Sequence, residues 1–349
     1  MKHLKKFETQ AAYNAAESSL VLPNVSLITE NNKVEYKSYV PPHDYSQDYL
    51  TFVATESGTF SFSGDPSSII SGNTLQYSTN DGNTWNTLEN SGSTSLVSAG
   101  SKILWKGSFL SIDGGIGTFT STCNFTVEGN VMSLLYGNDF VGQTSLSGKN
   151  YAFMYLFSGC TRMTSAENMV LPAITLADRC YSNMFSDCTS LTTAPSLPAT
   201  TLANTCYQYM FYNCTSLTTA PSLPATTLAE ECYSSMFSNC TSLTTVPELL
   251  ATTLASSCYY SMFIDCTSLT TAPSLPATTL QSNCYSEMFS GCTSLTSITC
   301  LGTNISAWNC TRDWTKNVAA NGTFYKNPSM TSWTTGSSGI PNGWTVQNA

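Results

Sequence analysis

Cysteine is the residue here whose type and spacing promise chemistry. Residues 180–203 read CYSNMFSDCTSLTTAPSLPATTLA, and close copies begin at Cys206, Cys232, Cys258 and Cys284. Every copy is 26 residues long and holds two cysteines eight residues apart. One column is Cys180, Cys206, Cys232, Cys258 and Cys284; the other is Cys188, Cys214, Cys240, Cys266 and Cys292. A cysteine nucleophile needs a thiolate, hence a base and an electropositive setting. No Lys or Arg occurs from Cys180 to Cys310, and the chain's two histidines, His3 and His43, lie outside the repeats. Zinc would call for C-x2-4-C pairs or neighbouring histidines, and the chain has no CxxC. Disulfides within a column are the rival, since stacked cysteines can fall within the Cα range of about 4.4–6.8 Å. Long ladders would then pair in arbitrary alternation, and each column has five strong members, an odd number. Packed free thiols are the favoured reading. Disulfides and, more weakly, a metal stay as alternatives.

Other chemistry is thinner. The repeat carboxylates Asp187, Glu230, Glu231, Glu248, Asp265 and Glu287 do not recur at one position with a partner. GxSxG, P-loop and HExxH signatures are absent. No catalytic set and no cofactor are expected. STNDGNTW, from Ser78 to Trp85, resembles a single Asp-box of sialidase-type propellers, with Asn80 where that pattern wants Asp. One copy reads as a structural hairpin. Threonine pairs such as Thr192-Thr193 and Thr218-Thr219 recur; they suit exposed strand and turn positions, with glycan binding or the ordering of water as the alternative.

Binding candidates are few. Four large side chains occupy positions that the core columns leave free to vary: Tyr209, Tyr212, Tyr260 and Ile264. Aromatic residues are enriched in binding hot spots, although isolated apolar surface residues are common. Four of the six tryptophans, Trp308, Trp314, Trp333 and Trp344, lie near the C-terminus. They suit either an end cap or a sugar platform.

These residues need elements to hold them. Cys180, Met184 and Cys188 sit at i, i+4 and i+8 with Tyr181 and Phe185 beside them, which predicts a short helix in every repeat. Pro195 and Pro198 follow, so only a strand of two or three residues fits near LTT. The last copy lacks those prolines and predicts a strand over Leu295–Cys300. A weaker first copy places Phe153, Phe157 and Cys160 in the Tyr, Phe and Cys columns. A fixed period of this size signals stacked units that bury a continuous core.

Ahead of the repeats, YLTFVA, GTFSFSG, LQYST, WNTLE, SKILWKG and TCNFTVEG alternate between turn residues. That spacing predicts an antiparallel β-sandwich with Phe60 and Phe62 on one face. Near the start, Thr9–Ser18 predicts a short amphipathic helix, and VSLIT and KVEY predict two strands joined across ENN. Charged residues make up only 10 % of the chain, well below the ~25 % of ordinary soluble domains. The net charge of −9 repels nucleic-acid phosphate and anionic lipid. The N-terminal lysines have no apolar run behind them, so no signal peptide is expected, and no apolar stretch is long enough for membrane insertion.

The pattern MF..CTSLT..P.LPATTLA..CY, with FSDCTSLTTAPSLP from Phe185 to Pro198, resembles the BspA-like leucine-rich repeats of gut Bacteroidales. The resemblance spans residues 151–300 and reaches the tail, NGTFYKNPSMTSWTTGSSGIPNGWTVQ. It implies a leucine-rich-repeat solenoid, an adhesive role at a cell surface and no enzymatic activity. The opening FETQAAYNAAESSLVLPNVSLITENNKVEY is similar to the start of structural proteins of Bacteroides phages, crAss-like ones among them. The expected class is therefore α+β and multi-domain. Residues 1–45 would form a helix/strand anchor, 46–135 the β-sandwich, 150–300 a solenoid of about six repeats and 301–349 a Trp-rich cap.

The expected function is a phage virion structural protein, a head or tail fibre or appendage. It would assemble in the reducing host cytoplasm. Residues 1–45 would hold other virion proteins, and the solenoid would touch a host-surface glycan or protein. Self-association as a homo-oligomer stays open. A bacterial cell-surface adhesin and a glycan-binding or glycan-active module are the alternatives.

Overall fold

A computed structural model describes residues 25–30, 33–38, 43–64, 73–88, 91–109, 115–331 and 333–349. It divides into two units, Met1–Asp44 and Tyr45–Ala349. In the first, β1 (Val25–Glu30) pairs antiparallel with β2 (Lys33–Ser38), and Glu30 faces Lys33 in the register. The helix expected at Thr9–Ser18 lies outside the described residues.

The second unit opens with two packed sheets. Its strands are β3 (Leu50–Ala54), β4 (Phe60–Ser63), β5 (Thr74–Ser78), β6 (Asn86–Leu88), β7 (Ser91–Ser93), β8 (Lys102–Ser108), β9 (Thr118–Ser121), β10 (Phe125–Asn130) and β11 (Met163–Val170). One sheet runs β11-β10-β3-β8-β5-β6; the other runs β7-β4-β9. Period-two alternation buries Phe52 on β3, Phe60 and Phe62 on β4, Trp105 on β8 and Phe125 on β10. Phe52 packs its ring 5.0–5.7 Å from Phe60, Trp105, Phe119, Phe125 and Phe157. A four-residue helix, α1 (Ser133–Tyr136), sits behind; Ser133 Oγ donates to the Trp105 carbonyl. Because β11 lies parallel to β10, the sheet leads straight into the repeats.

The α+β expectation is overturned. The fold is nearly all β, 25 % strand and 3 % helix. No repeat contains a helix, so the leucine-rich-repeat architecture expected from the resemblance is also corrected. In place of each two-turn helix stands a ribbon of overlapping turns. Between Arg179 and Cys188, alternate amides bond locally: Ser182 N–H to the Arg179 carbonyl, Met184 to Tyr181, Ser186 to Asn183 and Cys188 to Phe185, at 3.1–3.2 Å. The amides between them donate one repeat ahead: Tyr181 to Cys206, Asn183 to Gln208, Phe185 to Met210 and Asp187 to Tyr212, at 2.8–3.0 Å. Every backbone donor from Tyr181 to Cys188 is thereby satisfied, half of them by the next coil.

Coils one to seven occupy residues 151–160, 179–188, 205–214, 231–240, 257–266, 283–292 and 309–317. Coil seven falls inside the segment expected to be a cap. Outside the ribbons the coils touch through single-residue parallel bridges, such as Thr193↔Thr219 and Thr219↔Thr245, with Thr271↔Ser297 further along. Strand β12 (Ser297–Cys300) is longer and pairs parallel with β13 (Thr323–Lys326), which pairs with β14 (Thr345–Asn348).

The misreading has a clear cause. Burial every fourth residue looks helical, yet a ribbon that turns every fourth residue buries the same positions. Cys180, Tyr181, Met184, Phe185 and Cys188 are all inaccessible to solvent. What separates the two is the left-handed residue at each corner: Arg179, Asn183 and Asp187 have φ of 56°, 56° and 60°. The third corner reads Asp187, Asn213, Asn239, Asp265, Gly291 and Asn317 down the stack. Asn, Asp and Gly tolerate that region best. An isolated corner substitution tests this directly. Asn239→Gly should leave the urea midpoint unchanged or raised, and Asn239→Ala should cost about 1 kcal/mol. A helix would give the opposite order, because Ala is the best helix former and Gly among the worst.

Candidate functional site

The cysteines come first because they fill the interior. All fourteen are free and buried. In the second column each thiol has a partner: Cys188 Sγ donates to the Phe157 carbonyl, Cys214 to Phe185, Cys240 to Phe211, Cys266 to Phe237 and Cys292 to Phe263, at 3.0–3.1 Å. A small apolar side chain with one weak donor suits a narrow seam between coils. Burial pushes the thiols of Cys180, Cys232, Cys240 and Cys292 up to about 12. A thiol held neutral that firmly is no nucleophile at neutral pH. Among the described residues no group of three or more His, Cys, Asp or Glu is placed to hold a metal ion.

Beside the cysteines run two aromatic ladders. Tyr181, Tyr207, Tyr233, Tyr259 and Tyr285 stack with centroids 5.7–6.1 Å apart, and Phe157 to Phe289 stack at 5.4–5.9 Å. The hydroxyls of Tyr181 and Tyr233 are buried without a hydrogen-bond partner.

The C-terminal tryptophans do not form a platform. Trp314 is fully buried, stacks on Tyr285 and donates Nε1–H to the Gly339 carbonyl at 2.8 Å. Trp344 is buried and donates to the Ala319 carbonyl. Trp333 stacks 5.7 Å from Trp314. Those three close the interior after Met288. Trp308 alone stands out, 68 % exposed. Two other sequence features are structural. Asn80 and Ser78 spend their polar atoms inside their own turn, where Asn80 Oδ1 accepts from Ser78 Oγ and the Thr84 amide, and Trp85 packs on Tyr49 and Lys106. Thr192, Thr244 and Thr296 donate their hydroxyls to carbonyls of the preceding coil.

The outer surface of the turn ribbons is different. Corner residues and their neighbours line a groove of about 550 Å³. Tyr209, Tyr212, Tyr260 and Ile264 all line it. They are half-buried rather than fully exposed. The Tyr209 and Tyr212 rings meet edge to face at 5.8 Å. Tyr155 of coil one completes the aromatic lining, and Asn183, Asp187, Asn239 and Asp265 supply polar atoms. Tyr209 and Tyr260 also border a second depression of about 380 Å³ with Gln208, Glu231, Trp308 and Arg312.

Polar pairs bridge successive coils along this face. Asn213 Nδ2 donates to Asp187 Oδ1 at 2.8 Å, Gln208 Nε2 to Glu231 Oε2 at 2.9 Å, and Arg312 pairs with Glu287 at 2.5 Å. Tyr155 and Tyr209 both sit at left-handed corners, φ 61° and 56°, where a bulky side chain is unusual. Sequence reasoning missed Tyr155 because it treated coil one as a divergent end, and missed Trp308's separation from its three neighbours. The phase of the repeat was the available signal: Trp308 falls on the same column as Ser282 and Ser256, outside the core columns. No family model, no curated protein and no solved structure matches this chain.

Proposed function

We propose that the chain is a non-enzymatic attachment protein of a phage particle, anchored through residues 1–45 and presenting the ribbon face of its stacked coils to the bacterial host. One observation supports it most: four side chains that no core column requires, Tyr209, Tyr212, Tyr260 and Ile264, converge on a single groove, and one of them, Tyr209, is held at a left-handed corner. Strained residues persist where the surroundings or a function demand them. The particle itself rests on the likeness of the opening segment to phage structural proteins. The chain divides at Asp44, and the described residues of the first unit pair with one another as the β1–β2 hairpin, which suits a detachable anchor. The likeness of residues 151–300 to BspA-like repeats favours a second reading, a bacterial surface adhesin using the same face.

Purified particles decide between them. Mass spectrometry of particles should find the chain, and a truncation beginning at Tyr45 should fold yet fail to incorporate. Absence from particles and presence on intact cells would replace the first reading with the second. Normal incorporation of the truncated chain would refute the anchor.

A further inference from the structure

The large side chains on the ribbon face occur on alternate coils. Coil one carries Tyr155, coil three Tyr209 and Tyr212, coil five Tyr260 and Ile264, and Trp308 stands at the threshold of coil seven. The even coils carry polar residues at the matching positions: Ser182, Asn183 and Ser186 in coil two, Ser234, Ser235 and Ser238 in coil four, and Ser286, Glu287 and Ser290 in coil six. The five serines of coils two and four are buried, so the face is a row of aromatic shelves separated by recessed polar floors. Core rings of successive coils lie 5.4–6.1 Å apart, so two coils advance by roughly the length of a disaccharide.

We infer that this face binds an extended, uncharged, linear polysaccharide lying along the stacking axis, with one ring shelf for each disaccharide. The inference rests on the attachment reading above and names its ligand class. Aromatic rings with polar edges suit the apolar faces of sugar rings. Asn183, Asn239 and Gln208 offer amides, and Asp187, Asp265 and Glu231 offer carboxylate acceptors, for hydroxyls along the chain. The carboxylates also select by charge. Among the described residues, Arg312, already paired with Glu287, is the one cation lining either depression. Polyuronates and sialylated chains are repelled by such a surface. A half-buried, mixed polar and apolar lining with open ends fits a polymer that enters and leaves along its length.

The test uses calorimetry on the full chain with uncharged β-linked gluco- and manno-oligosaccharides of increasing length, and polygalacturonate as the anionic comparator. Affinity for at least one neutral series should rise in steps of a disaccharide. The double variant Tyr209→Ser, Tyr260→Ser should weaken it about fivefold or more. Serine already occupies both columns, at Ser235 and Ser234, so the variant keeps the coil, and unchanged native thiol protection verifies that. Polygalacturonate binding as tightly as the neutral polymers overturns the charge selection. No saccharide binding, with particle adsorption still lowered by the double variant, means a protein receptor; the glycan inference then falls and the attachment reading stands. Unchanged adsorption together with no saccharide binding removes both.

Discussion

Raised through alkaline pH, the chain should unfold cooperatively near about pH 10, far below the point where backbone chemistry intervenes. The thiols from Cys160 to Cys300 all have their proton affinity raised by burial, several up to about 12 from an ordinary 9.0. Below 9.0 folded and unfolded chains both keep the proton, and the fold has its full stability. Between 9.0 and about 12 only the unfolded chain ionises, so stability falls as pH rises. One pH unit above the ordinary value, each buried thiol removes about 1.4 kcal/mol.

The five column thiols raised to about 12, Cys180, Cys232, Cys240, Cys284 and Cys292, together then remove on the order of 7 kcal/mol, and the other five push the same way, against the roughly 5–15 kcal/mol of a typical domain. The Tyr column pushes in the same direction, because burial raises those phenols as well. Circular dichroism against pH gives the midpoint, and alkylation at pH 8 gives an independent check. Native chains should label far more slowly than unfolded ones, because the thiols are buried and kept protonated until the coils open. A fold that persists to pH 11, or thiols found blocked as disulfides in the denatured chain, would contradict the packed-thiol interior.

Truncating the middle of the Met column should cost nearly as much as a small domain can spare. Met236 is inaccessible to solvent and lies in coil four, between Met210 and Met262. Its side chain has coils on both sides that cannot collapse inward, because their spacing is set by the amide bonds from one coil to the next. A cavity left there stays open, so Met236→Ala should destabilise by about 2–5 kcal/mol. The urea midpoint of the full chain measures it. An unchanged midpoint would show that the ladders of Tyr and Phe, not Met, bear the packing.

Much of this interior was legible because the sequence repeats itself. The columns of Cys, Tyr, Met, Phe and Leu mark the large buried side chains of the ribbons, and a period of 26 places each above its counterpart. The backbone was not legible by the same route. Spacing of four is shared by a helix and by a turn ribbon, and the hydrophobic pattern alone does not separate them. The corner column of Asp, Asn and Gly did contain the answer, but Tyr155, Tyr209, Arg179 and Glu231 occupy other corners and blur the signal. The groove was half legible. Tyr209, Tyr212, Tyr260 and Ile264 declared themselves by departing from the core columns. Trp314 and Trp344 looked like the same kind of departure, yet they close the interior, because coil seven extends the period past the last obvious copy.

The amide bonds that join one coil to the next also make length a heritable variable. Each ribbon offers the following coil the same row of carbonyls, so a junction made by deleting or duplicating one whole coil matches the junctions around it. Anything other than a whole coil breaks the row. Near-identical repeats are prone to exactly such gains and losses during replication, so related chains are free to differ in reach by integer coils. Gains of two coils keep the aromatic rhythm, whereas a gain of one shifts every later shelf by half a beat.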